Sequence, residues 1–269
     1  MLLNHGASTL SFDEQKSRFS ALDEWFNSPQ GIDLSHAFAS ELNHLNEFLY
    51  GETLLQLGNC GENPWLQPLH YSHKWRATPY INPSATTLLS SFTQLPIDRN
   101  SVDCVLAPLM MEAFSHEKNP IDEIDRILKP MGYVIFLGIN PLSLWGAYMR
   151  LGRLSCFGPL SGKPMSVFFL KRAMLHRGYI QCALSSFYYI PPVKQKKWVQ
   201  KLEILNELGK MIWPCPAGFY YLVVQKYQES HPDVLLETVE DEFFHLKKVP
   251  LEPVCLSGLD QNQKNLAQK

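Results

Sequence analysis

Three short apolar runs, separated by turns and helical segments, constrain the fold of this chain most strongly. They read TLLQLG from Thr53, SVDCVLAP from Ser101 and YVIFLGI from Tyr133. A strand inside a parallel sheet is buried on both faces, so its sequence is apolar almost without interruption. Short joints between strand, helix and strand require right-handed crossovers. The sequence therefore predicts an α/β fold with a mostly parallel sheet and helices on both faces.

Two helices are expected before the first strand, where they would pack on the sheet edge or over the site. Ser11 and Glu14 have the spacing of a capping box, which predicts a helix through about Asn27 with Phe12 on its apolar side. A second helix is expected from near residue 33 to residue 50, ended by Gly51.

After residue 166 the elements are expected in the order helix, strand, long connecting segment (the excursion) and strand. Pro120 suits the first helical position, which predicts a helix over residues 119–129. A helix is expected from Ser166 to His176, and strands are expected at residues 179–189 and 219–226. The excursion between these strands contains an apolar periodicity typical of a helix at residues 198–213. The two last strands would form an antiparallel hairpin at the sheet edge.

The chain divides into three expected parts. Residues 1–51 form N-terminal helices packed on the core, and residues 52–227 form the α/β domain. Residues 228–269 are a polar tail that is expected to be partly disordered, apart from a short helix at 234–246.

The composition is that of an ordinary globular protein, with 45% hydrophobic and 19% charged residues. The formal net charge of -2 gives no general attraction to nucleic acid or to an anionic membrane. The longest apolar stretch, 133–151, is interrupted by Asn140, Pro141 and Gly146, so no membrane span is expected. Because the N-terminus also lacks a signal-peptide pattern, a cytoplasmic location is expected.

Cysteine and histidine spacing does not indicate a metal site. The 6 cysteines include no CxxC pair, and the 9 histidines include no HExxH motif. A disulfide framework or a zinc site needs more closely paired ligands. We therefore expect reduced, mostly buried thiols and no metal.

A longer pattern lies in LPIDRNSVDCVLAPLMMEAF, from Leu95, and in NPIDEIDRILKPMGYVIFLGINP, from Asn119. It resembles the second half of the class I S-adenosylmethionine-dependent methyltransferases of the type 11 branch. In that family a Leu-Pro loop and an Asp-containing strand precede a helix that ends in Arg-Val-Leu-Lys-Pro-Gly-Gly. The residues that match by position are Leu95, Pro96, Asp103, Arg126, Leu128, Lys129, Pro130 and Gly132, while Met131 replaces one glycine. The resemblance covers roughly residues 54–226 and implies a Rossmann-like fold.

The resemblance also implies a cofactor, S-adenosyl-L-methionine. Ligands of such sheets bind outside the carboxyl ends of the strands, at the switch point of the strand order. Gly58 and Gly61 would let the backbone approach the methionine part of the cofactor, and Phe92 and Leu109 would flank the adenine. The cofactor-binding residues predicted in this way are Gln56, Gly58, Asn59, Cys60, Gly61, Ser91, Phe92, Ala107 and Leu109.

No dedicated catalytic residue is required, because methyl transfer from a sulfonium depends mainly on alignment and desolvation. His116 is the candidate base or substrate contact, since the family often faces its acceptor in this segment. Cys60 fits a space-filling thiol better than a nucleophile, and Asn140 fits a turn. His70 and His73, which precede the second strand SVDCVLAP, fit surface or packing roles. The basic run at 194–201 fits a solvated helix start better than an anion-binding site.

The expected cofactor site departs from the family pattern in its charges. The family usually has an acidic residue at the position of Gln56, another about twenty residues later and an Asp near Ser91. Residues 63–97 contain no Asp or Glu. A hydrogen bond to a charged group contributes ~1.5–3 kcal/mol, so each loss would weaken cofactor binding by roughly one to two orders of magnitude. Neutral groups such as Thr78 and Ser91 could compensate in part.

Two functions remain open at this point. The first is a methyltransferase that acts on a small or partly apolar acceptor. The second is a catalytically inactive relative that keeps the fold as a binding or interaction protein, with a protein partner that could dock through the C-terminal tail. A nicotinamide dehydrogenase is disfavoured because the chain has no G-x-G-x-x-G motif. Side chains that fill the adenine pocket, such as Trp65 or Tyr80, would argue against the enzyme.

Overall fold

The computed structural model describes residues 11–83, 86–114, 120–154, 156–158, 162–192 and 216–227. The strands are β1 (Tyr50–Leu57), β2 (His70–Thr78), β3 (Leu88–Leu89), β4 (Val102–Pro108), β5 (Leu128–Ile139), β6 (Tyr179–Phe187) and β7 (Phe219–Lys226). The helices are α1 (Phe12–Phe26), α2 (Pro29–Asn43), α3 (Met110–Phe114), α4 (Ile121–Ile127), α5 (Leu144–Arg150) and α6 (Val167–Leu175). A short 3-10 helix spans Pro64–Leu66.

The strands form one sheet in the order β3-β2-β1-β4-β5-β7-β6. Strands β1 to β5 pair in parallel, whereas β7 is antiparallel to both β5 and β6. The predicted Rossmann-like sheet with an antiparallel edge hairpin is therefore confirmed. The strand order reverses between β1 and β4, and this switch point is where ligands of such sheets bind.

Helix α1 begins and ends where its sequence predicts. The Ser11 N–H donates to Glu14 Oε2 at 3.0 Å, and Ser11 Oγ accepts from the Glu14 N–H at 3.2 Å, which completes the capping box. Phe19 and Phe26 are buried in the core, but Phe12 is exposed. The apolar side of the helix therefore begins at Phe19, about two turns later than expected.

Helix α2 differs from its prediction at both ends. It starts at Pro29, because Ser28 Oγ caps the Gly31 N–H at 3.2 Å and proline at the first position presets the helical φ. It ends at Asn43, and Gly51 lies inside β1 instead of terminating a helix.

Further boundaries also differ from the predictions. The structure adds strand β2 before the run SVDCVLAP, and His70 and His73 are exposed on it, in agreement with a surface role. The helix expected to reach residue 129 ends at Ile127. Lys129 already belongs to β5, and its Nζ donates to Asp103 Oδ1 at 2.9 Å.

The expected helices at 198–213 and 234–246, the basic run at 194–201 and the tail at 228–269 lie outside the described residues. The proposed division of the chain into three parts stays a prediction. In the described ranges, no helix is long and apolar enough to cross a membrane. The same ranges contain no group of three or more His, Cys, Asp or Glu side chains that could hold a metal ion.

Candidate functional site

The carboxyl ends of β1 and β4 meet at the switch point of the sheet. The residues predicted to bind a cofactor surround this point. Gly58 to Gly61 follow β1, Ala107 lies in β4 with Leu109 directly after it, and Ser91 and Phe92 follow β3. Most of the predicted residues are buried, and only Gly61 and Ser91 are partly accessible.

The loop after β1 uses its glycines as predicted, but it faces a helix. Gly58 and Gly61 have φ values of 92° and 63°, in the region that favours glycine. A Cβ at Gly58 would lie 3.1 Å from Phe19 Cδ1, and a Cβ at Gly61 would lie 3.3 Å from the backbone oxygen of Phe26. The close approach that the glycines permit is therefore an approach to α1.

Gln56 is fully buried, and its side-chain amide is fixed by the loop that it supports. Nε2 donates to the Gly58 carbonyl oxygen at 2.8 Å and to Asn63 Oδ1 at 2.6 Å. Oε1 accepts from Trp65 Nε1 at 2.9 Å. An amide can donate and accept at once, which a carboxylate cannot, so this network accounts for glutamine where the family usually has an acid.

Asp23 of α1 brings a carboxylate to the same loop. Its Oδ1 accepts from the Gly61 N–H and from Asn59 Nδ2, both at 2.8 Å. Its Oδ2 accepts from the Tyr80 hydroxyl at 2.8 Å and from Asn82 Nδ2 at 3.4 Å. Burial and the neighbouring Asp23 charge raise the pKa of Tyr80, so its hydroxyl stays protonated as a donor. Asp23 is thus a buried acid at this loop that is supplied from before the first strand.

Gln15 and Phe19 of α1 cover the position expected for the adenine. Gln15 Oε1 accepts from the Phe92 N–H at 3.2 Å and from the Ser91 hydroxyl at 3.1 Å. The ring of Phe19 packs edge-on against Phe92, with centroids 4.6 Å apart. Ser91 and Phe92 are therefore bound by side chains of α1.

The remaining predicted positions are also packed. Ala107 and Leu109 are fully buried, and Leu109 has a left-handed φ of 49° while its N–H donates to the Leu137 carbonyl oxygen at 2.8 Å. Burial, followed by the Asp23 charge, raises the pKa of the Cys60 thiol well above its ordinary value. A neutral buried thiol is a poor nucleophile, which favours the space-filling role for Cys60.

Trp65 and Tyr80 are buried, but the ring contacts of Phe92 among the described residues are with Phe19 and Phe114. Trp65 packs behind the loop against Phe26 and Phe38, with ring centroids 5.7 Å and 5.2 Å apart. The side chains that contact Ser91 and Phe92 instead come from α1, one of the two N-terminal helices.

Glu112 of α3 is a buried carboxyl group near this rim. Its Oε1 accepts from the Ile139 N–H at 2.9 Å. Burial is the largest influence on this group, and it raises the pKa of Glu112 to about 7. At neutral pH a substantial fraction of Glu112 is therefore protonated, and the group is a candidate proton donor that the motif analysis did not single out.

The arrangement does not fit a bound S-adenosylmethionine as the chain is folded here. The glycine turn, the Phe92 N–H and the Ser91 hydroxyl each contact a side chain of α1. The Thr78 hydroxyl also has a partner within the chain, since it donates to the Tyr80 carbonyl oxygen at 2.5 Å. The assignment of cofactor-binding residues therefore stays a prediction, and no reaction step follows from this geometry.

Gln15, Phe19 and Asp23 recur at every fourth position of α1, so they lie on one helix face. The apolar periodicity of the helix marks Phe19 as inward-facing, but it gives no sign that two polar neighbours point the same way. The available signal in the sequence was spacing: Gln15 and Asp23 lie four residues before and after the inward-facing Phe19.

His116, the candidate base, lies outside the described residues. Asn140 forms the turn that was expected. Its Oδ1 accepts from the Leu142 N–H at 3.1 Å, and its Nδ2 donates to the Ala217 carbonyl oxygen at 3.1 Å.

Comparisons with known proteins agree with this fold. The sequence pattern of a family described as "Methyltransferase domain" matches residues 69–136. No curated protein sequence matches the chain. The match to this family, with the sheet order, confirms the resemblance to the class I S-adenosylmethionine-dependent methyltransferases.

Two solved structures resemble the chain with TM-scores above 0.5. One is from the complex between the Haloferax volcanii Trm112 methyltransferase activator and a methyltransferase, with 16% identity, a TM-score of 0.54, and 81% of this chain and 99% of that chain covered. The other is a Thermotoga maritima S-adenosylmethionine-dependent methyltransferase, described as a possible histamine N-methyltransferase. It has 19% identity and a TM-score of 0.53, with 77% of this chain and 99% of that chain covered. At identities this low, the similarity indicates a shared fold and carries no information about substrate or activity.

Proposed function

We propose that this protein is a catalytically silent relative of the methyltransferases that keeps the fold as a binding or interaction protein. The observation that carries the proposal is that side chains of α1 contact the residues predicted to bind S-adenosylmethionine. Gln15 binds the Phe92 N–H, Phe19 lies against Gly58, and Asp23 binds the Gly61 N–H.

The energy needed to lift α1 from the loop supports the proposal. Phe19 and Leu22 are completely buried, and Phe26 is 1% exposed. Exposing one such side chain costs ~1.5–3 kcal/mol, so exposing the three costs roughly 5–9 kcal/mol. A ligand of micromolar intrinsic affinity contributes about 8 kcal/mol. Displacement of α1 would offset most of this and leave an apparent Kd in the millimolar range or weaker.

The charges of the loop support the same conclusion. The carboxylate of Asp23 is already held by three donors at 2.8 Å, and Gln56 is held by the loop itself. No acid in residues 63–97 is left to bind the ribose hydroxyls. The protein partner proposed for the tail at 228–269 is compatible with this role.

A second candidate, a methyltransferase opened by movement of α1, is favoured by one specific observation. Gly58 and Gly61 keep the left-handed φ values that a cofactor loop uses, although a buried strand-turn could be built in other ways. In this case S-adenosyl-L-methionine would bind in the opened form, and a small or partly apolar molecule would accept the methyl group.

Calorimetric titration of the full chain with S-adenosylhomocysteine distinguishes the two candidates. The titration compares the natural chain with Phe19→Ala, which removes the ring that lies over Gly58. Leu42→Ala in α2 is the matched control, because Leu42 is equally buried but lies in the neighbouring helix. Thermal unfolding confirms that both variants are folded at the temperature of the titration.

A silent protein gives no heat with 1 mM ligand in any of the three chains, a concentration well above the ~micromolar range of functional cofactor sites. Micromolar binding to the natural chain would overturn the proposal. Binding that appears in Phe19→Ala and not in Leu42→Ala would favour the enzyme that opens by movement of α1.

A further inference from the structure

The basic residues of this chain are concentrated in one long segment. Residues 126–202 contain 12 of the 24 Lys and Arg residues and no Asp or Glu, although the whole chain has a net charge of -2. Some of these cations are paired with acids from other segments, such as Arg177 with Asp122 at 2.9 Å. The segment therefore carries a positive net charge of its own, which the net charge of the whole chain conceals.

Helix α5, in the middle of this segment, turns apolar side chains outward. Trp145 and Met149 face the core, while Leu144 and Tyr148 are exposed on the opposite side. Leu151 directly after the helix is 66% exposed, and Leu142 just before it is 79% exposed. A helix with apolar residues on both its buried and its solvent side marks an interaction surface.

Three cations lie at one end of this apolar surface. Arg150 and Arg153 are exposed at the end of α5, and Lys163 is exposed on the segment that precedes α6. Arg150, Leu151 and Lys163 line one shallow depression, so the two segments lie side by side. Among the described residues, none of these three cations forms an ion pair, which leaves their charge available to a partner.

We propose that α5 and these cations form a surface that docks on an anionic lipid bilayer. The leucines and Tyr148 would enter the interfacial region, while the guanidinium and ammonium groups would contact lipid phosphates and carboxylates. The helix is 7 residues long and would lie in the plane of the membrane. The surface does not involve the loop after β1, so this inference is independent of the proposed function.

The chemistry of the surface favours a bilayer over two other partners. A second copy of the chain, docked through the same surface by a two-fold axis, would place cation against cation. A nucleic acid would use aromatic side chains for base stacking, whereas the exposed side chains here are mostly leucines. An anionic bilayer satisfies both the apolar face and the cationic rim.

Vesicle co-sedimentation of the full chain at 100 mM salt tests the proposal. Vesicles of pure phosphatidylcholine are compared with vesicles that contain 30% phosphatidylserine. The expected result is at least tenfold tighter binding to the anionic vesicles, weakened by higher salt because surface charges are screened. Equal binding to both vesicles, or binding to neither, would overturn the proposal.

Paired charge reversals locate the contact. Arg150→Glu with Arg153→Glu is expected to lower the affinity for anionic vesicles at least tenfold. Lys16→Glu with Arg99→Glu changes the net charge equally at exposed positions elsewhere, and it is expected to have an effect of less than threefold. Equal losses in the two double variants would overturn the proposed surface.

A third variant and one measurement in solution separate a bilayer from self-association. Leu144→Ser with Leu151→Ser removes the apolar part while leaving every charge in place, and it is expected to lower vesicle binding at least fivefold. Light scattering of the free protein is expected to give a monomer. A dimer that the leucine variant abolishes would show that a second copy covers α5, and this would refute the bilayer proposal.

Discussion

Replacement of Asp23 by alanine removes the carboxylate that joins α1 to the loop after β1. In the natural chain this group accepts from the Gly61 N–H, from Asn59 Nδ2 and from the Tyr80 hydroxyl, each at 2.8 Å. Asp23 itself is only 9% exposed, so water reaches these donors poorly. The alanine variant leaves three donors without their acceptor.

The expected loss of stability follows from these contacts. A buried donor without a partner costs ~1–3 kcal/mol, although water that enters the space left by the carboxylate recovers part of this. We expect Asp23→Ala to lower the free energy of unfolding by about 3–5 kcal/mol. Asp23→Asn keeps one oxygen for Gly61 and Asn59 and loses the charge, so we expect a decrease of about 1–2 kcal/mol.

Urea unfolding at pH 7 measures these differences, with the midpoint and the slope recorded for each chain. Glu24→Ala is the matched control, since Glu24 is the next residue of α1 and is exposed. Its effect should remain within about 0.5 kcal/mol, as for most surface substitutions.

A loss below about 1 kcal/mol for Asp23→Ala, with an unchanged slope, would refute the view that this carboxylate fixes α1 to the loop. A loss equal to that of Glu24→Ala would have the same meaning. The variant also tests function, because micromolar binding of S-adenosylhomocysteine to Asp23→Ala would show that the loop binds the cofactor once the carboxylate is removed.

Two further substitutions test buried polar groups of the site. Gln56→Glu, which installs the acid usual in the family, should lower the free energy of unfolding by about 2–4 kcal/mol, because it turns a carboxylate towards the oxygens of Gly58 and Asn63; urea unfolding with Gln67→Glu as the exposed control measures this, and a neutral effect would contradict the network. For Glu112, burial raises the pKa to about 7 from an ordinary value of 4.5, so the folded chain keeps a proton that the unfolded chain releases. Stability from this group is present below about pH 4.5 and is lost as the pH rises through about 7, a decrease of about 3 kcal/mol. Glu112→Gln should remove this part of the pH dependence in urea unfolding at pH 5 and pH 8, and an unchanged difference between the two pH values would refute the assignment.

The sheet could be predicted because its signals are local. β4 and β7 appear as apolar runs with nearly the observed ends, and α6 begins directly after Ser166 as expected, although the Ser166 side chain makes no capping hydrogen bond. β2 was harder to place, because it lies beside the two-residue strand β3 at the sheet edge and therefore alternates polar and apolar residues. The boundaries of α2 were wrong, because apolar residues at helical spacing continue past its end into the turns before β1.

The cofactor loop shows the limit of local signals more clearly. The sequence showed that an acid was missing at Gln56 and throughout residues 63–97, and it placed Gly58 and Gly61 in the turn after β1. It could not show that Asp23, more than thirty residues before Gly61, supplies a carboxylate to the same loop, because that contact depends on how α1 crosses the sheet.

Because Asp23 of α1 supplies the acid, the loop after β1 can be either a cofactor loop that has lost contacts or a loop whose contacts are now made by α1. A degraded cofactor loop would keep its groove and lose polar contacts, so that buried donors such as the Gly61 and Phe92 N–H groups would lack acceptors. Here Asp23 and Gln15 accept from both. Since Gln56 is likewise satisfied at three contacts, the loop is complete without a ligand. A loop whose polar groups are satisfied by its own chain gives a cofactor little to gain on binding, which is why the position of α1 outweighs the retained glycines.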